Sequence, residues 1–129
     1  MKLSKSVLIT GIIIVIILLG FIGFNITKNT TKAPSKYDSF AKCLTDNGVK
    51  MYGAYWCPHC NNQKELFGNS WQYVTYIECS LPNKAGQTQM CNQAGIKAYP
   101  TWEFQDGKRL EGELTFAQLS QYSNCHLEE

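Results

Sequence analysis

Val7 to Phe24 (VLITGIIIVIILLGFIGF) carries no charge over 18 residues, and Thr10 is its one polar side chain. A helix of that length covers roughly 27 Å, close to the ~30 Å hydrocarbon core of a bilayer. The run is apolar on every face and has Lys near both ends, unlike a helix buried in a protein core. It predicts a membrane anchor over residues 1–24, transmembrane over 7–24. The rival is a cleaved signal peptide, whose apolar region usually spans about 7–15 residues before a small-x-small site. Here the run is longer, and the nearby Ala33 is followed by Pro34, so the uncleaved anchor is favoured.

The rest of the chain has a different character. Residues 1–36 hold five Lys and no acid, for +5; residues 37–129 hold seven basic and ten acidic residues, for −3. The resulting net charge of +2 gives no footing for nucleic-acid binding. With 44% hydrophobic and 17% charged residues, the chain is not disordered as a whole. Residues 25–38 are polar and lack apolar periodicity, as in a flexible tether. Residues 39–129 contain all six Cys and read as one small domain.

Orientation does not follow from charge. Lys2 and Lys5 precede the run and Lys28, Lys32 and Lys36 follow it, a near tie under the positive-inside rule. An even number of Cys in a small domain behind a membrane segment points to an oxidising compartment. The expectation is a single-pass plasma-membrane protein with its domain outside the cytoplasm.

Within the domain, Phe40, Cys43 and Leu44 follow helical spacing in Ser39–Asn47, ahead of Gly48. Val49–Tyr55 reads as a buried strand and Cys57–Phe67 as a helix with Pro58 near its start. Tyr73–Cys79 is a second strand, Ser80–Gln87 a loop and Thr88–Ala94 a short helix. Thr101–Gln105 and Lys108–Glu111 flank an Asp106-Gly107 turn, a hairpin signal. Thr115–Asn124 closes the chain with a helical stripe of Phe116, Leu119 and Tyr122. The order αβαβαββα predicts an α/β fold with a central mixed sheet: a parallel pair joined through a helix, plus an antiparallel hairpin.

The chemistry lies in Trp56-Cys57-Pro58-His59-Cys60. A C-x-x-C at a strand-to-helix turn places Cys57 at a helix N-terminus. The free N–H groups and partial positive charge there favour a thiolate. His59 can add a donor or a positive charge beside it. Stabilising the thiolate stabilises the dithiol, which makes the disulfide a stronger oxidant. Cys57 is the expected nucleophile, and Cys60, deeper in the helix, the resolving thiol. A four-thiolate zinc site of Cys57, Cys60, Cys79 and Cys91 is the rival, but the second pair lacks the C-x2-C knuckle spacing. No metal and no cofactor beyond the Cys57–Cys60 disulfide are expected.

These residues resemble the thioredoxin fold. More closely, MYGAYWCPHC with QKELFG, Cys79, Cys91 and Gly95-Ile96…Tyr99-Pro100-Thr101-Trp102 resembles the thioredoxin-like domain attached to bacterial vitamin K epoxide reductase homologues. The resemblance covers about residues 40–123 and excludes the anchor. It implies a cis peptide bond before Pro100, with the Tyr99 backbone presented to a substrate peptide and Trp56 as a substrate-facing platform. It implies a Cys79–Cys91 disulfide, the alternative being a second redox pair. Cys43 and Cys125 remain, and joining them would fasten the two ends of the domain. The Pro-His dipeptide is similar to that of DsbA-like oxidases.

The function so implied is a thiol–disulfide oxidoreductase that donates disulfides to reduced secreted or membrane proteins. A membrane quinone reductase of vitamin K epoxide reductase or DsbB type would reoxidise it. A reductase or isomerase fed by a membrane donor is the alternative, as is a non-enzymatic metal- or client-binding module. One departure stands out. Many thioredoxin-fold enzymes bury an acid six residues before the first Cys, as proton acceptor for the resolving thiol; here that residue is Met51, and no substitute is evident in the sequence.

Overall fold

A computed structural model describes residues 5–26 and 35–127. Met1–Ala33 and Pro34–Glu129 separate as two units. In the first, α1 (Lys5–Ile26) is a single helix. Its described side chains, Val7 and residues 9–19, are all exposed. Among the described residues no helix is long and apolar enough to cross a membrane. The transmembrane helix expected over 7–24 is thus not shown. Residues 27–34 of the expected tether lie outside the described residues.

In the second unit, α2 (Asp38–Asp46) buries Phe40, Ala41 and Leu44, the apolar stripe of its sequence. Strand β1 (Lys50–Gly53) leads to α3 (Pro58–Phe67), which starts with Pro58 because the first helical residue needs no N–H partner. A 3-10 turn, Gly68–Tyr73, connects α3 to β2 (Thr75–Glu78). Strand β2 therefore begins later than the aromatic pattern suggests. Tyr73 closes the 3-10 turn, and Trp71 within that turn meets Phe67 edge-on at 5.8 Å and Tyr76 at 5.8 Å. Helix α4 (Gln89–Gln93) is capped by the Thr88 side chain, and α5 (Phe116–Ser123) by a reciprocal Thr115–Gln118 capping box. Between them, β3 (Thr101–Glu103) and β4 (Arg109–Glu111) form the hairpin. Gly107 at its turn has φ +80°, which a residue with a side chain rarely adopts.

The strands form one mixed sheet in the order β2-β1-β3-β4. Strands β1 and β2 are parallel, and β1–β3 and β3–β4 are antiparallel. This α/β architecture with flanking helices fits a thioredoxin fold. Alternation along β1 separates two cores. Met51 joins Phe40, Leu44, Phe67, Trp102 and Leu119 on one side, whereas Tyr52 joins Cys79, Cys91 and Ile96 on the other.

Candidate active site

The β1 strand runs out at Gly53, and the chain turns through Ala54–Trp56 into α3. Cys57 is the N-cap of that helix, with extended backbone (φ −78°, ψ 119°). Its N–H donates to Ala54 O at 3.0 Å, which fixes the turn. Both thiols are free, and both residues are buried. Trp56, by contrast, is 41% exposed, and Tyr55 is exposed beside it.

The predicted residues converge on Cys57 from separate segments. The Tyr99–Pro100 peptide bond is cis. Cys57 Sγ lies 3.6 Å from the Tyr99 carbonyl oxygen, to which the thiol donates. The Trp56 ring meets the Tyr99 ring edge-on at 6.2 Å, and its indole N–H donates to Ser80 Oγ at 2.8 Å. Trp56 and the Tyr99 backbone thus stand around Cys57 on a surface open to solvent. Pro58, next to Cys57, is exposed as well.

His59 points to an unexpected partner. Its Nδ1 is 2.7 Å from Glu113 Oε1, which also accepts from Asn62 Nδ2 at 3.0 Å. The imidazole and then the Asn62 amide hold the Glu113 carboxyl below its ordinary value. Any positive charge on His59 is therefore shared with a carboxylate, and does not act on Cys57 alone. Glu113 sits in the loop after β4, and nothing in the sequence pattern marks it.

Cys60 lies one turn into α3 and is completely buried. Burial is the main reason its thiol is pushed up to about 12; the neighbouring Cys57 adds to the rise, and a hydrogen bond from the Ala54 backbone opposes it. The two thiols thus occupy different environments: Cys57 lies against the Tyr99 carbonyl beside the exposed Trp56, and Cys60 is sealed in the core. Met51 is buried on β1, as apolar as the sequence indicates.

The other cysteines are joined in two disulfides. Cys43 of α2 is bonded to Cys125 beyond α5, with Cα atoms 5.8 Å apart. Cys79 is bonded to Cys91, with Cα atoms 5.6 Å apart. Among the described residues no cluster of three or more metal-ligating side chains occurs. Gln63, which sequence reasoning passes over, anchors the helix from below. Its Oε1 accepts from the Leu114 N–H at 2.7 Å and the Trp102 indole N–H at 3.3 Å, and its Nε2 donates to Leu114 O at 3.0 Å.

No protein-family model matches the chain. Among curated proteins, the chain is similar to thiol-disulfide oxidoreductase LTO1 of Arabidopsis thaliana, with 38% identity over 95 residues. That alignment covers 70% of this chain and 25% of the relative. Thioredoxin 3 of Plasmodium falciparum (isolate 3D7) is 34% identical over 67 residues, 50% of this chain and 36% of the relative. The chain thus spans only about a quarter to a third of the curated relatives it matches. Their names, with the paired cysteines, support a thioredoxin-like oxidoreductase enzyme.

Proposed function

We propose that the chain is a thiol–disulfide oxidoreductase that donates the Cys57–Cys60 disulfide to reduced secreted or membrane proteins. The observation that carries this reading is the asymmetric dithiol: Cys57 at a helix N-terminus against the Tyr99 carbonyl, and Cys60 sealed below it. A substrate thiolate attacks Cys57 Sγ in the oxidised protein. The Cys57–Cys60 bond breaks, and its electron pair leaves on Cys60, which takes up a proton. A second substrate thiolate then attacks the substrate sulfur of the mixed disulfide and expels Cys57 as thiolate. The substrate has lost two electrons and gained a disulfide; the protein holds a dithiol.

A membrane quinone reductase of vitamin K epoxide reductase or DsbB type is the proposed oxidant of that dithiol. The support is the resemblance of residues 40–123 to domains attached to such reductases. The direction of electron flow is supported by the Cys43–Cys125 and Cys79–Cys91 disulfides, which persist in oxidising compartments. The uncharged run at Val7–Phe24 supports a single-pass anchor in the plasma membrane with the domain outside the cytoplasm.

The test is oxidation of a reduced dithiol peptide by the full chain in detergent. Cys57→Ser and Cys60→Ser, neither of which can form the donated disulfide, both abolish turnover. Given a peptide disulfide instead, reduced Cys60→Ser attacks it through Cys57, releases one peptide thiolate and stays trapped as the mixed disulfide. A Cys57→Ser variant that still oxidises the peptide would overturn the assignment.

A further inference from the structure

The Cys57–Cys60 cycle needs a proton acceptor beside Cys60. When the dithiol is reoxidised, Cys57 first attacks the oxidant's disulfide. Cys60 must then lose its proton and attack Cys57 Sγ. Cys60 is fully buried, and the β1 position that could have carried an acid is Met51.

The parallel register of β1 with β2 brings other groups to that place. Met51 pairs with Tyr76, and Gly53 with Glu78. Paired residues of neighbouring strands share a face, so Tyr76 and Glu78 lie on the side of the sheet that carries Met51. Gly53 leaves the space they use. A Cβ there would stand 2.9 Å from Cys60 Sγ, 2.9 Å from Tyr76 Cε2 and 3.3 Å from Tyr76 Oη. The thiol and the phenol thus flank one gap. On its far side the phenol is hydrogen-bonded to a carboxylate: Tyr76 Oη donates to Glu78 Oε2 at 2.8 Å. Glu78 is held in place at its other oxygen, which accepts from the Ser80 N–H at 2.8 Å and the Tyr55 N–H at 3.3 Å. Lys64 of α3 lies over the Tyr76 ring, 4.0 Å from its centroid.

We propose that Tyr76 and Glu78 form the proton relay of Cys60, standing in for the acid absent at Met51. In the resolving step, Tyr76 Oη takes the Cys60 proton while its own proton passes to Glu78 Oε2. Cys60 sulfur attacks Cys57 Sγ, the bond from Cys57 to the oxidant's sulfur breaks, and the electron pair leaves on that sulfur. Run backwards, the relay protonates Cys60 when a substrate thiolate displaces it. Tyr76 faces the reacting thiol, and Glu78 is a positioning residue that acts through it. The inference rests on the oxidoreductase reading above.

The experiment mixes the reduced full chain, in detergent, with a chromogenic aromatic disulfide. Two equivalents of coloured thiolate are released in succession, the first by Cys57 attack and the second by Cys60 resolution. Tyr76→Phe and Glu78→Gln keep the first phase and slow the second at least about tenfold at neutral pH, a modest share of what general bases supply. Gln at 78 still accepts the Ser80 and Tyr55 N–H groups through its carbonyl, and Glu78→Asp retains part of the rate. The pH profile separates a relay from simple damage. Other groups facing the gap are Cys57 and Lys64 from α3 and Tyr99 from the cis-proline loop, and all are kept in these variants. The slowed second phase therefore rises tenfold per pH unit as hydroxide takes over, whereas wild type runs flatter. Should Glu78→Gln melt early, Tyr76→Phe decides alone. A second phase unchanged in both variants overturns the relay and leaves the oxidoreductase reading standing. A Cys60→Ser variant that still releases two equivalents overturns both.

Discussion

At the scale of single residues, two thiols three positions apart are set to different tasks by burial. Cys57 lies against the Tyr99 carbonyl, while the enclosure of Cys60 pushes its thiol up to about 12. A thiol is reactive only as thiolate, so its ordinary range near 8.5 no longer applies. At pH 7–9 a small alkylating reagent is expected to modify Cys57 in the reduced protein and to leave Cys60 as thiol. Cys60 labelling rises only toward pH 12, and peptide mass mapping across a pH series checks this. The sign also fixes a stability trend. The folded state holds the Cys60 proton above the pH at which the unfolded chain releases it. The reduced protein therefore loses stability as pH climbs from about 9. Equal labelling of both thiols at pH 8 would contradict this account of the site.

Cys57, Cys60 and Pro100 were legible at this scale because each belongs to a contiguous motif. Glu113 and Glu78 were not. Glu113 reaches His59 across 54 positions of sequence, and Glu78 is brought beside Gly53 by strand register. A period of two from Tyr76 to Glu78 places both on one face of a strand, but only the pairing with Gly53 shows what that face touches.

At the scale of elements, the site depends on how α3 is seated. Its buried hydrogen bonds to the β3 strand and to the loop before α5 are made by one amide, Gln63. Gln63→Leu would leave the Leu114 N–H, the Leu114 carbonyl and the Trp102 indole N–H without that partner. Each such buried group costs about 1–3 kcal/mol, so the expected loss is about 3 kcal/mol in denaturant unfolding. A change within about 0.5 kcal/mol would mean that these groups find other partners. The sequence pattern located α2, β1, α3, α4, the hairpin and α5 because each combines periodicity with a cap or turn residue. It misplaced the start of β2. Tyr73 and Val74 read as strand from their residue types, but Tyr73 closes the 3-10 turn and the strand starts at Thr75.

At the scale of the whole molecule, a domain of about 93 residues buries a modest core, and covalent links matter. The Cys43–Cys125 bond closes a separation of 82 residues between α2 and the end of α5, and Cys79–Cys91 one of 12. In the chain-entropy account these contribute about 4–5 and about 3 kcal/mol, upper values before strain. Four of the six cysteines are joined in this way, and Cys57 and Cys60 are the free pair.

A redox titration of the full chain in glutathione buffers tests that division of the cysteines. Thiols are trapped at each potential and counted by intact mass. The account predicts that two thiols, mapped to Cys57 and Cys60, change state together at a potential in the range of about −120 to −200 mV of known oxidases and isomerases. The Cys43–Cys125 and Cys79–Cys91 bonds stay closed throughout. A midpoint near about −270 mV would reverse the proposed electron flow. Four thiols moving together, or Cys57 and Cys60 never forming a disulfide, would contradict the division itself.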